Sequence, residues 1–368
     1  MHRCSTIAFT LLLSLVHGAP ARPGGHTAYT VRLALFEGRQ RVRVQGRQLM
    51  LMDGDVRDIL LRGRNEPILL SRGRSGIRCD ALKSEPRSVL LRAAGAIRID
   101  GRSLVGELEV RAEPAGLLVI NRLPLDRYLV GLVGAEMSDS WPLEALKAQA
   151  VAARTYFLHR RLAREHAPYD LSASTLDQVY RGIEREGERT RRAVRETAGL
   201  VLTHGMLPAE ALFHACCGGR THAAEEVFGQ AVAYLVSVED PDCSACPKRR
   251  WKRELPISHL VRKLVAGGWK GKLRELRSGS EGEIVLVGER RSLRLDRREL
   301  RRVLGEKEIP SPFFTWRASG DRLLIEGRGS GHGVGLCQWG ARGMALRGAG
   351  FRDILRRYYP GCEIKRLF

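Results

Sequence analysis

Aromatic side chains are scarce in this chain of 368 residues, at 6%, so its cores must be largely aliphatic. Acidic residues are scarce against basic ones: 41 Asp and Glu face 62 Lys and Arg, a formal net charge of +21. Long apolar runs are missing too. The stretch from Ile7 to Val16 falls short of the roughly 20 residues that cross a bilayer, and no other segment is long enough, so the chain is not expected to span a membrane. No internal repeat or low-complexity linker stands out.

What is present at the N-terminus reads as an export leader over residues 1–21. His2 and Arg3 precede the short apolar run, and Gly18 with Ala19-Pro20-Ala21 supplies small residues for cleavage. Cys4 lies before that run rather than after it, so a lipid anchor is not indicated. The expected location is the periplasm, the cell wall or the medium. Losing Cys4 leaves seven of the eight cysteines, an odd number, so at least one is free or bonded to another chain. Exported proteins commonly form disulfides. A positive surplus of this size draws polyanions through a sequence-independent field. Nucleic acid is set aside because an exported chain rarely meets it. An anionic wall polymer or membrane surface is the better partner, against the plainer reading of an Arg-rich composition set by a GC-rich genome.

Alternating apolar residues in Thr30-Val-Arg-Leu-Ala-Leu35, Val42-Arg-Val44, Ser88-Val-Leu-Leu-Arg92, Ala96-Ile-Arg-Ile99 and Leu117-Leu-Val-Ile120 predict strands. They outline a β-rich region over 27–120. A short helix is expected over 124–132 and a long one over 142–166, opened by Pro142. Leu143, Leu146, Ala150, Ala153 and Phe157 give the long helix one apolar stripe. Beyond it come a helix at 186–197, strands at 199–203 and 211–214, a mixed stretch over 254–310, a strand at 322–326 and a last helix at 351–358. The fold class is α+β: a β-rich N-terminal region, a central helical domain and a mixed α/β C-terminal part, forming a cleft, with residues 121–368 as the catalytic region.

Glu136 stands alone as an acid among Leu132, Val133, Ala135, Met137 and Trp141. Desolvation by such neighbours favours a protonated carboxyl, while the start of the following helix favours the anion. Asp139 and Ser140 are better placed to cap that helix, which leaves Glu136 without a structural task. Lys147 and Arg154 border the apolar stripe. Lys147 reads as a long stem reaching to water; Arg154, deeper in the helix, calls for a carboxylate partner or an anionic ligand. The stretch from Gly327 to Ala341 alternates five glycines over 327–335 and ends in Gln338 and Trp339. It lacks the Lys and Ser or Thr of a phosphate-binding loop. His332, Gln338 and Trp339 suit stacking and hydrogen bonding to sugar rings. His214, Cys217, Cys243 and Cys246 offer a zinc site of weak spacing, with a disulfide as the equal alternative.

Four motifs, Tyr128-Leu-Val-Gly-Leu-Val-Gly-Ala-Glu-Met137, Trp141-Pro-Leu-Glu-Ala-Leu-Lys-Ala-Gln-Ala-Val-Ala-Ala-Arg-Thr-Tyr156, His214 with Cys217-Gly-Gly-Arg-Thr221, and Gly331-His-Gly-Val-Gly-Leu-Cys-Gln-Trp-Gly-Ala341, together resemble the stage II sporulation protein D / amidase enhancer family. The likeness spans roughly residues 28–365, with little carried by 28–120. Cys337 stands where that family usually has Ser. The resemblance implies a lytic transglycosylase acting on peptidoglycan glycan strands, especially peptide-stripped ones. It implies Glu136 as the single catalytic acid, Arg154 in support, and Lys147, Tyr156, His332, Gln338 and Trp339 as substrate contacts. No cofactor is required by that chemistry, and zinc stays open. The second reading is a non-catalytic wall-binding protein that enhances an N-acetylmuramoyl-L-alanine amidase, with that amidase as its partner.

Overall fold

The computed structural model describes residues 29–173, 180, 182–270, 272–279, 282–289 and 291–368. The leader expected over 1–21 lies outside the described residues. The fold is α+β. Residues 29–124, joined by the short strand Leu171–Ser172, build two sheets. The larger has seven strands in the order Leu171–Ser172, Thr30–Arg39, Gly116–Pro124, Glu107–Glu113, Ser88–Arg92, Leu49–Asp53 and Ile59–Arg64. The smaller has five, with Arg41–Gly46 at its centre. Arg41–Gly46 alternates strictly between exposed and buried residues, so its apolar side chains point to one core.

The chain leaves the larger sheet at Pro124 straight into helix α1 (Leu125–Glu136), then α2 (Leu143–Ala163). Both helices start one residue after a proline, which has no N–H to lose there. The expected short helix is therefore four residues longer at its end than 132, and Glu136 is its last residue. That reverses the electrostatic expectation: the carboxylate sits at the negative end of α1. Asp139 does not cap the helix that follows it. It accepts from Thr190 N at 2.8 Å and Arg189 N at 3.4 Å, and so caps α3 (Glu188–Glu196). Gly187 leaves room for it, because a Cβ there would collide with the Asp139 carboxylate.

Helix α2 is the hub. Leu146, Ala150, Ala153 and Phe157 join the core shared with the two N-terminal sheets and α1. Ala145, Ala148, Val151 and Ala152 enter a second core built with the C-terminal part. The helix thus buries two faces rather than one stripe, and Gln149, Arg154 and Thr155 are buried along with its apolar residues. Residues of α1 and α2 pack into the same core as the N-terminal strands.

Past α3 and the strand Leu200–His204 come α4 (Ala224–Phe228) and a 3₁₀ turn, Pro241–Ala245. Residues 250–328 then wrap a third core around Trp251, Leu260, Leu264, Leu286 and Ile325. This lobe holds α5 (Ile257–Ala266), α6 (Arg297–Leu304) and two three-stranded sheets. The strands Arg250–Pro256 and Arg322–Arg328 pair antiparallel at its base. The chain returns through the glycine-rich loop into α7 (Gln338–Leu346) and α8 (Phe351–Tyr358), both packed on α2. No described helix is long and apolar enough to cross a membrane.

Candidate functional site

Glu136 lines a pocket of about 690 Å³. The walls come from the end of α1, the Tyr156–Arg160 side of α2, the 210–215 segment, the 224–232 segment, Lys248, and the third lobe with the loop at 330–332. Tyr156 and Arg160 project from α2, four residues and about one turn apart. Gln149 lies seven residues before Tyr156, on the same face. Opposite them stands the start of α7. Gln338 is the first residue of that helix, and its Nε2 donates to Glu136 Oε2 at 3.0 Å and to Gln149 Oε1 at 3.5 Å. The acid is thus held by a neutral amide.

The register of the short parallel pair Phe213–His214 and Leu336–Cys337 sets up this approach. Cys337 caps α7, its Sγ accepting from Gly340 N at 3.3 Å. Helix α7 can begin here because Gly340 has no side chain: a Cβ would strike the Asp240 carboxylate and the Tyr358 hydroxyl. The end of the glycine-rich stretch is therefore helical, which the glycine content concealed.

His332 also lines the pocket. Its Nε2 is 2.8 Å from Phe213 O and its Nδ1 accepts from Val334 N at 3.2 Å. This pattern requires a proton on Nε2 and none on Nδ1. Burial pushes its pKa down to about 4. The imidazole is a neutral wall and not a proton carrier near pH 7.

Three other expected site residues lie elsewhere. Arg154 is fully buried but does not line the pocket. It donates to Leu200 O at 3.1 Å and Val194 O at 3.4 Å and faces Asp126 Oδ1 at 3.8 Å. Burial lowers its pKa to about 10, with Asp126 opposing the shift, so it stays charged. Its place is two residues from Tyr156, about 200° around the helix, which turns it toward the core. Lys147 is held by Glu144 Oε1 and Glu196 Oε2, each at 2.7 Å. Trp339 stacks edge-on with Trp141, centroids 5.1 Å apart, with Arg342 over both rings, and does not line the pocket. The reading of the sequence missed four cations that do line it: Arg160, Lys248, Arg301 and Lys307. Arg160 was legible as the residue one turn beyond Tyr156. Arg301 and Lys307 need the fold of the third lobe, and Lys248 the approach of the segment that leads into it. Glu210 and Glu306 line it as well, and Glu306 is paired with Arg301 at 3.0 Å.

The sulfur groups divide differently from the expected set. Cys217, Cys243 and Cys337 converge with Asp240, all buried, their ligand atoms within 4.8 Å of one another. His214 is not among them. Its Nδ1 is 3.1 Å from Val334 O, and its ring meets His332 at 5.5 Å. Burial, with His332 beside it, lowers its pKa to about 3. Cys246 lies next to the group, its Sγ accepting from Lys248 N at 3.3 Å. All seven described cysteines are unbridged. Hydrogen bonds from Cys216, Cys217 and Cys337 favour the Cys243 thiolate, while donating to Cys243, together with burial, pushes the Cys217 thiol up.

A family model described as stage II sporulation protein matches residues 113–204. That span holds α1, α2 and α3, with Glu136, Tyr156 and Arg160, and none of the clustered cysteines. An uncharacterized protein of Brachyspira hyodysenteriae is 33% identical over 306 residues, covering 82% of each chain. Stage II sporulation protein D of Bacillus subtilis is 32% identical over 262 residues, 67% of this chain and 75% of the relative. The amidase enhancer of Bacillus subtilis is 26% identical over 291 residues, 64% of this chain and 40% of its own length.

Proposed function

Because the chain belongs to the stage II sporulation protein D family, we propose that it works on the cell wall, as a lytic transglycosylase that cuts peptidoglycan glycan strands and leaves 1,6-anhydro-muramic ends. The observation that carries this reading is Glu136 in the wall of a large pocket, with one carboxylate oxygen accepting from the Gln338 amide. In this reaction Glu136 protonates the glycosidic oxygen as its bond to the muramic C1 breaks. The carboxylate so formed then takes the proton of the muramic C6 hydroxyl as that oxygen closes on C1. One group serves as acid and then base, and no water enters.

Gln338 fixes the carboxylate during both transfers. Arg160, Lys248, Arg301 and Lys307, set against Glu136, Glu210 and Glu306, leave the lining a slight excess of positive charge, suited to the lactyl carboxylates that peptide-stripped strands expose. Arg160 thereby takes the anion-binding task expected of Arg154. The reading requires export, as the leader over 1–21 implies.

Mass spectrometry of purified glycan strands incubated with the protein tests it. Anhydro ends are expected. Reducing ends would mean hydrolysis, with Glu210 as the second carboxylate that a water-using glycosidase needs. The match to an amidase enhancer favours a second reading, a non-catalytic wall binder that stimulates an amidase. Unchanged strands together with faster amidase turnover would establish it instead.

A further inference from the structure

We infer that this chain binds one structural zinc ion through Cys217, Asp240, Cys243 and Cys337. The four come from three distant segments: the turn after Phe213–His214, the 3₁₀ turn at Pro241–Ala245 with the residue before it, and the cap of α7. Each is buried. Cys217 Sγ lies 3.6 Å from Cys243 Sγ and 3.1 Å from Asp240 Oδ2. A tetrahedral zinc with Zn–S near 2.3 Å holds its sulfurs about 3.8 Å apart, so little movement closes the cage.

The carboxylate supplies an independent sign. Asp240 is fully buried, and its Oδ1 has no hydrogen-bond partner among the described residues. An unsatisfied carboxylate oxygen beside three thiols is costly unless a cation joins them. A disulfide uses only two sulfurs and leaves the third thiol and the carboxylate buried together. A divalent ion uses all four donors. Three soft thiolates select zinc over magnesium or calcium. Binding releases the thiol protons to solvent.

The cage also explains a mechanical feature. Cys337 immediately precedes Gln338, and its Sγ receives Cys217 N at 3.3 Å as well as Gly340 N. A metal there pins the first turn of α7, and with it the amide that holds Glu136. That last consequence rests on the proposed function, whereas the metal content does not.

The test is zinc content of the full chain purified without chelator, read by inductively coupled plasma mass spectrometry. One zinc per chain is expected, falling at least tenfold in Cys243→Ser and Cys337→Ser and staying at one in Cys79→Ser and Cys362→Ser. Asp240→Asn should lower it as well. If Cys216→Ser releases the metal and Asp240→Asn does not, the fourth ligand is misassigned. Should the substituted chains fail to fold, cobalt loading of the unsubstituted chain decides: an intense thiolate-to-cobalt absorption supports the cage. Zinc-free protein from zinc-replete cells, with a Cys217–Cys243 or other bridge in non-reducing peptide maps, overturns the proposal, whether or not the protein cuts glycan.

Discussion

Helix α1 carries an acid near each end, Asp126 in its first turn and Glu136 at its last residue, about 15 Å apart along the axis. Asp126 faces the guanidinium of Arg154, which is fully buried and also bonds the carbonyls of Leu200 and Val194. Glu136 opens on a pocket, with a neutral amide from α7 at 3.0 Å. The first carboxylate belongs to a network that ties α1, α2, α3 and the following strand together. The second lies where α1, α7 and the pocket meet. The contrast teaches that a charge deep in a helix is no sign of a catalytic site when its partners are a carboxylate and backbone carbonyls of neighbouring elements.

The sharpest way to break this comparison is Arg154→Ala. It removes the cation facing Asp126 and the donor to two buried carbonyls, and each buried polar group left unsatisfied costs about 1–3 kcal/mol. Denaturant unfolding should show that loss, with KM unchanged in whatever fraction stays folded. A raised KM in a chain of normal stability would put Arg154 back in the binding site. Gln338→Leu should do the converse. Removing one hydrogen bond to a carboxylate is worth about 1.5–3 kcal/mol, and here it should appear in kcat, roughly 10- to 100-fold, with the midpoint of unfolding little changed. Arg160→Ala should have a smaller effect, about tenfold and mostly in KM, and added salt should narrow the gap between variant and parent.

The smallest effect concerns pH. Burial holds the pKa of His332 at about 4, below the ordinary value of about 6.5. The unfolded chain therefore binds more protons between those values, so stability falls as pH drops from about 6.5 to 4. Thermal melts should show this decline, and His332→Gln should flatten it in part, since His214 titrates in the same sense. An unchanged slope in the variant would mean that His332 is not a buried neutral group.

Much of the fold was legible. The last helix, expected at 351–358, forms over Phe351–Tyr358, and the helix expected at 186–197 forms over Glu188–Glu196. Local periodicity sufficed because each of these helices buries a stripe of its own residues. The site was only half legible. Glu136, Tyr156, His332 and Gln338 do come together, but their neighbours in space are set by packing. Arg154 and Arg160 differ by about 120° around α2, and nothing in composition says which side meets the core. Asp240 and Cys337 meet only because α7 lies against the 3₁₀ turn, an approach that Gly340 and Gly343 permit. The sequence had offered His214 and Cys246 in their place.

The central claim is that one carboxylate does the chemistry, and Glu136→Gln tests it most directly. The amide keeps the shape of the side chain and cannot give up or take back the proton. Strand binding by sedimentation should match that of the parent, while the rate at which anhydro ends appear falls by about 10²–10⁴. Parental rates of anhydro product from the well-folded variant would contradict the account.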